Sequence, residues 1–232
     1  MPTWGEILRE IQTSAQGRGG NPDFDGIRRK YLGELSALTG RPAIVYATRW
    51  LAGSSGGEDL LITLEDMQGL MEECHGIPAP SLDLILHSPG GSPEATLSIV
   101  RYLRTKFTDI RAFIPLAAMS AATMWALACD RIVMGKHSQL GPIDPQMVTL
   151  FGQFPARAII NQFEEAQKEC AADPSRIAAW LPTFQQCGPA LIALCRDARK
   201  AAGEAMASSI HARVPTAPGG RGQSIGDLRL LC

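Results

Sequence analysis

Two short runs near the middle of the chain combine residue types that suit acyl transfer: His-Ser-Pro-Gly-Gly-Ser-Pro from His87 to Pro93, and Ala-Met-Ser-Ala-Ala-Thr-Met from Ala118 to Met124. The second run supplies Ser120, a hydroxyl nucleophile once some group takes its proton. The first supplies Gly90-Gly91, where the lack of a Cβ lets main-chain N–H groups turn outward toward a negative oxygen. An acyl-enzyme mechanism needs two such donors aimed at the developing oxyanion. Gly91 and Ala121, the residue that follows the serine, are the candidates.

The elements around these runs can position them. Leu82-Asp83-Leu84-Ile85-Leu86 is short, apolar and stopped by Pro-Gly-Gly, which predicts a buried strand. Ala95 to Lys106 carries Leu97, Val100 and Leu103 at helical spacing. Ile110 to Pro115 predicts a second strand, and Ser120 opens an apolar helix running to about Cys129, so the serine falls at a strand-to-helix turn. The helix N-terminus there favours a developing negative charge. The runs are about 30 residues apart, one strand-helix-strand unit, so a parallel sheet sets them side by side at the carboxyl ends of adjacent strands.

Groups able to take the serine proton follow. Gly135 to Gln146 holds Lys136, His137, Ser138, Gln139 and Asp144, and Pro142 and Pro145 bracket Ile143-Asp144, which predicts a fixed loop folding back over the site. His137 has the pKa suited to accept the proton, and Asp144 can orient the imidazole or an attacking water. Each also has a plainer use: Asp144 as acceptor for turn N–H groups, His137 as a cap on the preceding strand. Lys168 is the third candidate, but Glu164, Glu165 and Glu169 around it suit a solvated helical face that would keep it charged.

The remaining pattern alternates strand and helix. Trp4 to Ile11 predicts an amphipathic helix capped by Thr3, Gln16 to Pro22 a Gly-rich linker, and Phe24 to Leu38 a second helix ending at Thr39-Gly40. Pro42 to Ala47 is a first strand, Ala52 to Asp59 a loop, Leu60 to Cys74 helical, and Arg131 to Met134 a fourth strand. Helices are expected over Ala156 to Cys170 and Pro189 to Ile210. The sum is an α/β fold with a mainly parallel sheet. The expected plan is a helical N-terminal arm over 1–40, a catalytic domain over 41–210, and a flexible or truncated tail over 211–232. The apolar faces of the arm exceed what one domain needs, which predicts self-association.

Composition narrows the class. At 232 residues, 45% hydrophobic and 19% charged, the chain can bury its own core. With 22 basic and 23 acidic residues it has no long-range field for nucleic acid, and Arg28-Arg29-Lys30 fits a solvated helix face. The six cysteines form no Cys-x-x-Cys pair and stand at zinc spacing from no histidine, so neither metal nor cofactor is expected. Met1 to Gln12 carries Glu6, Arg9 and Glu10, unlike a secretory leader, and a reducing cytoplasmic setting is expected. Ala112 to Cys129 is an uncharged run of 18 residues, but Pro115 and the change from β-favouring to Ala-rich sequence predict strand plus buried helix. The expected partners are a peptide or protein substrate and a second copy of the chain, with at most peripheral contact to a membrane.

Leu-His-Ser-Pro-Gly-Gly, Ala-Met-Ser-Ala-x-Thr-Met and His-Ser-Gln-Leu-Gly-Pro-Ile-Asp-Pro-Gln resemble the Clp-fold serine proteinases of the serine dehydrogenase proteinase type, relatives of signal peptide peptidase A. Trp4 to Leu8, Arg28 to Leu32, Thr39 to Arg41 and Asp173 to Ile177 are also similar to that family, so the likeness covers roughly Trp4 to Ser209. It implies a Clp/crotonase-like fold of repeated ββα and βαβ turns, oligomers, and peptide-bond hydrolysis on Ser120. Where Clp-type proteases carry their histidine this chain has Pro145, with Asp144 beside it, and signal peptide peptidases use a lysine farther on, in the region of Lys168. Ala122 stands where the family usually has glycine. That departure and the unassigned base leave two alternatives: a catalytically impaired relative acting as a scaffold, and an acyl-thioester enzyme of the crotonase type.

Overall fold

Four runs of β-favouring apolar residues line up in parallel, as buried strands joined by helical crossovers do. They are β1 (Ala43–Ala47), β2 (Ser81–His87), β3 (Asp109–Ile114) and β5 (Arg131–Met134), hydrogen-bonded in the order β1-β2-β3-β5. The computed structural model describes residues 2–51, 60–186 and 190–212. The crossovers are α3 (Asp66–Cys74) from β1 to β2, α4 (Pro93–Lys106) from β2 to β3, and α5 (Ala121–Leu127) between β3 and β5, preceded by the two-residue strand β4 (Ala117–Ala118).

One face of the sheet makes the core. Leu82, Leu84, Leu86, Ile110, Ala112, Ile114 and Ile132 pack with Ile99 and Leu103 of α4 and with Ala122, Trp125 and Ala126 of α5, all of them buried. Each large side chain removed from water there contributes roughly 1.5–3 kcal/mol. The uncharged run over 112–129 is therefore the end of β3, then β4 and α5, as its Pro115 and Ala-rich half predict. Among the described residues no helix is long and apolar enough to cross a membrane.

The other face carries charge at the amino ends of the strands. Asp83 is fully buried, and its carboxylate accepts from Arg41 Nε at 2.8 Å and from Arg111 Nε and Nη2 at 2.9 and 2.7 Å. Arg41 continues to Asp109 at 2.6 Å, and Arg131 joins it at 3.0 Å. Burial alone would push the Asp83 carboxyl up, but hydrogen bonds and charge from Arg111 and Arg41 outweigh that and hold it below the ordinary carboxylate value. The network ties the starts of all four strands together, at the end of the sheet opposite the two motif runs.

The arm comprises α1 (Trp4–Gln16) and α2 (Phe24–Thr39). Thr3 caps α1 as expected, with its hydroxyl accepting from Glu6 N–H and the Glu6 carboxylate reaching back to Thr3 N–H at 2.6 Å. Neither helix buries a residue fully. Four details differ from the sequence expectations. The helix predicted from Leu60 starts only at Asp66, because Ile62 is taken into a parallel bridge with Gly91. The 135–146 loop contains a short strand, β6 (Gln139–Leu140), paired with β4. After it, β7 (Gln146–Thr149) and β8 (Gly152–Pro155) form an antiparallel hairpin whose Val148 and Leu150 face solvent. Beyond α6 (Ala156–Ala172), the stretch between the two expected helices holds a 3-10 turn and a further helix, α7 (Ile177–Gln186), which accommodates Pro182 in its interior. The last helix, α8 (Leu191–Ala212), packs on α4, α5 and α6. The predicted loop over 52–59 lies outside the described residues, as does the predicted tail over 211–232 except for His211 and Ala212, which belong to α8 rather than to a tail.

Candidate active site

The two motif runs meet at the carboxyl ends of β2 and β3, as their spacing predicts. Ser88 N–H donates to the Ala117 carbonyl at 3.2 Å and Met119 N–H to the Ser88 carbonyl at 2.9 Å, a parallel bridge that continues the sheet past its regular end. Gly90 then turns with φ +99°, and a methyl group there would lie 2.6 Å from the Met119 carbonyl oxygen and 2.8 Å from Ser120 Cβ. Only glycine allows both that backbone conformation and that approach. Gly91 passes equally close to Ile62, whose N–H donates to the Gly90 carbonyl at 2.8 Å and whose carbonyl accepts from Ser92 N–H at 2.9 Å. In a parallel bridge of that form the N–H of Gly91 itself points away from Ile62.

Ser120 has φ +49° and ψ −120°, the only positive φ at a non-glycine among the described residues. Such a backbone costs on the order of 1–3 kcal/mol and persists only where its surroundings fix it. Ala122 N–H to the Met119 carbonyl at 2.9 Å and Met124 N–H to the Ser120 carbonyl at 3.2 Å are two of the bonds that fix it. The sharp turn leaves the serine partly exposed, with a hydroxyl that hydrogen-bonds to no described residue. Ala121, first residue of α5, likewise has an N–H with no acceptor among the described residues. Ala122 is a fully buried member of the core, where its methyl packs.

The segment after β5 comes back to this turn. Gly141 N–H donates to the Ala118 carbonyl at 3.1 Å, and Gly141 lies so close to Met119 that a methyl there would overlap the thioether sulfur. Pro142, Ile143 and Asp144 thus leave from beside the residue that precedes Ser120. Asp144 is half-buried, and its backbone carbonyl accepts from Gln146 Nε2 at 3.2 Å. His137 is exposed, with Nε2 3.0 Å from the Pro115 carbonyl. A carbonyl only accepts, so Nε2 carries the proton and Nδ1 is the bare nitrogen. In this conformation His137 caps the end of β3, and among the described residues neither it nor Asp144 bonds to Ser120 or to the other. Lys168 is exposed on α6.

Two neighbours of the turn escaped the sequence reading. His87 closes β2 with Nδ1 3.1 Å from the Ala117 carbonyl and its ring 5.9 Å from Trp50, so its Nδ1–H donates and Nε2 is free to accept. Thr123 is buried with its hydroxyl against Ala118 and Gly141. Both stand inside motifs that were read for Gly90, Gly91, Ser120, Ala121 and Ala122.

The arrangement joins an uncommitted hydroxyl on a strained turn to a Gly-Gly turn in van der Waals contact with it. Two uncharacterized proteins of Methanocaldococcus jannaschii are each 36% identical to the chain, one over 119 residues (51% of this chain, 40% of that protein), the other over 103 (44% and 34%). The chain therefore spans less than half the length of these curated relatives. Among solved structures it is similar to a variant of the 1510-N membrane-bound stomatin-specific protease (20% identity, 44% of this chain and 54% of that one, TM-score 0.37). Another is a probable enoyl-CoA hydratase/isomerase from Mycobacterium abscessus (18% identity, 42% and 44%, TM-score 0.33). The profile of the ClpP-like SDH-type serine proteinases matches residues 60–206, which hold both motif runs and more than half of the sequence, and the chain belongs to that family.

Proposed function

We propose that the chain hydrolyses peptide bonds through an acyl-enzyme on Ser120. The observation that carries this reading is the conformation of Ser120: a strained, partly exposed serine at a strand-to-helix turn, packed against Gly90 and carrying an uncommitted hydroxyl. A core position has no use for such strain, whereas a nucleophile must stand clear of the strand to reach a carbonyl carbon. Attack by Ser120 Oγ on the scissile carbonyl gives a tetrahedral intermediate whose oxyanion accepts from the Gly91 and Ala121 N–H groups. Collapse, with the proton taken from Ser120 handed to the leaving nitrogen, expels the amine and leaves an ester on Ser120, which water then hydrolyses.

The proton of Ser120 goes to the segment that returns beside Met119. His137 is the acceptor with the suitable pKa class and Asp144 its partner or substitute. For His137 this requires the imidazole to leave the Pro115 carbonyl, a change confined to an exposed side chain. Lys168, exposed in a Glu-rich stretch, ranks third. Saturation kinetics with a fluorophosphonate probe on the wild type and on Ser120→Ala test the reading. Stoichiometric labelling lost in the variant supports it, and labelling that survives the substitution sinks it.

A further inference from the structure

We propose that the Thr123 hydroxyl is a positioning group that fastens the segment carrying Asp144 to the Ser120 turn, holding the nucleophile and its proton acceptor at a fixed separation. The inference rests on the reading of Ser120 as nucleophile and adds a residue that acts through it.

Thr123 lies one helical turn past Ser120 and is 5% exposed. Its Oγ1 is 2.8 Å from the Ala118 carbonyl, 3.1 Å from the Gly141 carbonyl and 3.2 Å from Gly141 N. A hydroxyl has one proton to give, so it donates to one of the two carbonyls, the shorter distance favouring Ala118, and accepts from Gly141 N–H. That N–H is shared with the Ala118 carbonyl at 3.1 Å. One side chain thus joins the strand that enters the serine turn, the helix that leaves it, and the loop that runs on to Asp144.

The hydroxyl is not needed for packing. A valine of the same shape would fill the space, and a buried hydroxyl costs stability unless it is hydrogen-bonded. The backbone alone holds the junction weakly, since β4 and β6 pair over only two residues each. Among the described residues no other side chain of α5 has a hydrogen bond to a neighbouring segment. Leu140 adds apolar packing against the core that α5 shares, but directional holding of the loop by an α5 side chain falls to Thr123, and Ser120 sits in a backbone conformation that would relax if its surroundings loosened.

The test compares Thr123→Val, which keeps the shape and loses the hydroxyl, with Thr123→Ser, which keeps the hydroxyl. Fluorophosphonate inactivation is measured over a range of probe concentrations and of pH, with thermal melts alongside. In Thr123→Val the limiting inactivation rate falls about tenfold to a hundredfold while the half-saturating probe concentration stays put, the pattern of a displaced catalytic group. Thr123→Ser recovers most of the rate. Amide exchange over 139–146 accelerates in Thr123→Val and not in Thr123→Ser. Wild-type labelling by Thr123→Val, or equal slowing in both variants, overturns the proposal and leaves the Ser120 reading intact. No labelling of the wild type removes the Ser120 reading and the catalytic part of this one together. Unchanged exchange over 139–146 in Thr123→Val overturns the clamp whatever the chemistry, and if that variant melts too low to assay, slow labelling by a fully folded Thr123→Ser does the same.

Discussion

Gly90 lies so close against Ser120 that no side chain fits between them: a methyl on Gly90 would stand 2.8 Å from Ser120 Cβ and 2.9 Å from Ala121 N. This contact makes one unit of two motifs that lie about 30 residues apart. Gly90→Ala must both adopt φ +99° and push the serine turn away. The expected result is a loss of roughly 1–3 kcal/mol in stability together with loss of fluorophosphonate labelling. Thermal melts and labelling kinetics on the same preparation check it; wild-type labelling in a stable Gly90→Ala protein would mean that the contact has no part in the site.

The choice of proton acceptor is open to a direct comparison. His137→Gln and Asp144→Asn are each expected to slow labelling, by on the order of 10²-fold for the true acceptor, and to flatten its rise with pH. Lys168→Met is expected to leave both rate and pH profile unchanged. A slowdown confined to the lysine variant points to a Ser-Lys pair instead.

Acid stability is expected to trace to the far end of the sheet. The Asp83 carboxyl lies below its unfolded value, so its contribution is complete above the unfolded pKa of about 3.9 and is lost as pH falls through the lower folded value. Asp83→Asn takes from Arg111 its carboxylate partner and leaves Arg41 with Asp109 alone, and should cost roughly 3–5 kcal/mol near neutral pH. It should also remove part of the destabilisation expected below about pH 4. Chemical denaturation of both proteins across that range measures the difference; parallel pH curves would argue against the assignment.

The arm is expected to mediate self-association. Trp4, Phe24 and Leu38 are 71%, 49% and 77% exposed, and an apolar cleft of about 450 Å³ opens between the arm and the sheet at Val45 and Ile85. Sedimentation of the intact chain at micromolar concentration should give a species larger than a monomer, and Trp4→Glu with Leu38→Glu should reduce its size. A monomeric wild type contradicts this.

What was legible in the sequence was whatever a local pattern encodes. Leu82, Leu84 and Leu86, and Ile110, Ala112 and Ile114, stand at every second position because that side of each strand packs into the core, and the strand-helix-strand interval then brings Gly90 to Ser120. Non-local pairings left no such trace. The Ile62 bridge to Gly91 involves one residue on each side, and β6 is two residues long, too short for any periodicity. No helix was expected between Cys170 and Pro189, where Pro182 interrupts the sequence, yet α7 runs through that proline, started by Asp173 and its capped 3-10 turn. His137 was read as a proton acceptor or as a cap on the strand before it; it caps the end of β3 instead, at the Pro115 carbonyl, a non-local contact that accompanies the pairing of β6 with β4.

The central claim is that Ser120 is the nucleophile, and active-site labelling followed by peptide mapping tests it most directly. The account predicts one fluorophosphonate adduct per chain, on Ser120, abolished in Ser120→Ala with a nearly unchanged melt, since that turn makes no use of the hydroxyl. An adduct on any other residue, or labelling of Ser120→Ala at the wild-type rate, contradicts it.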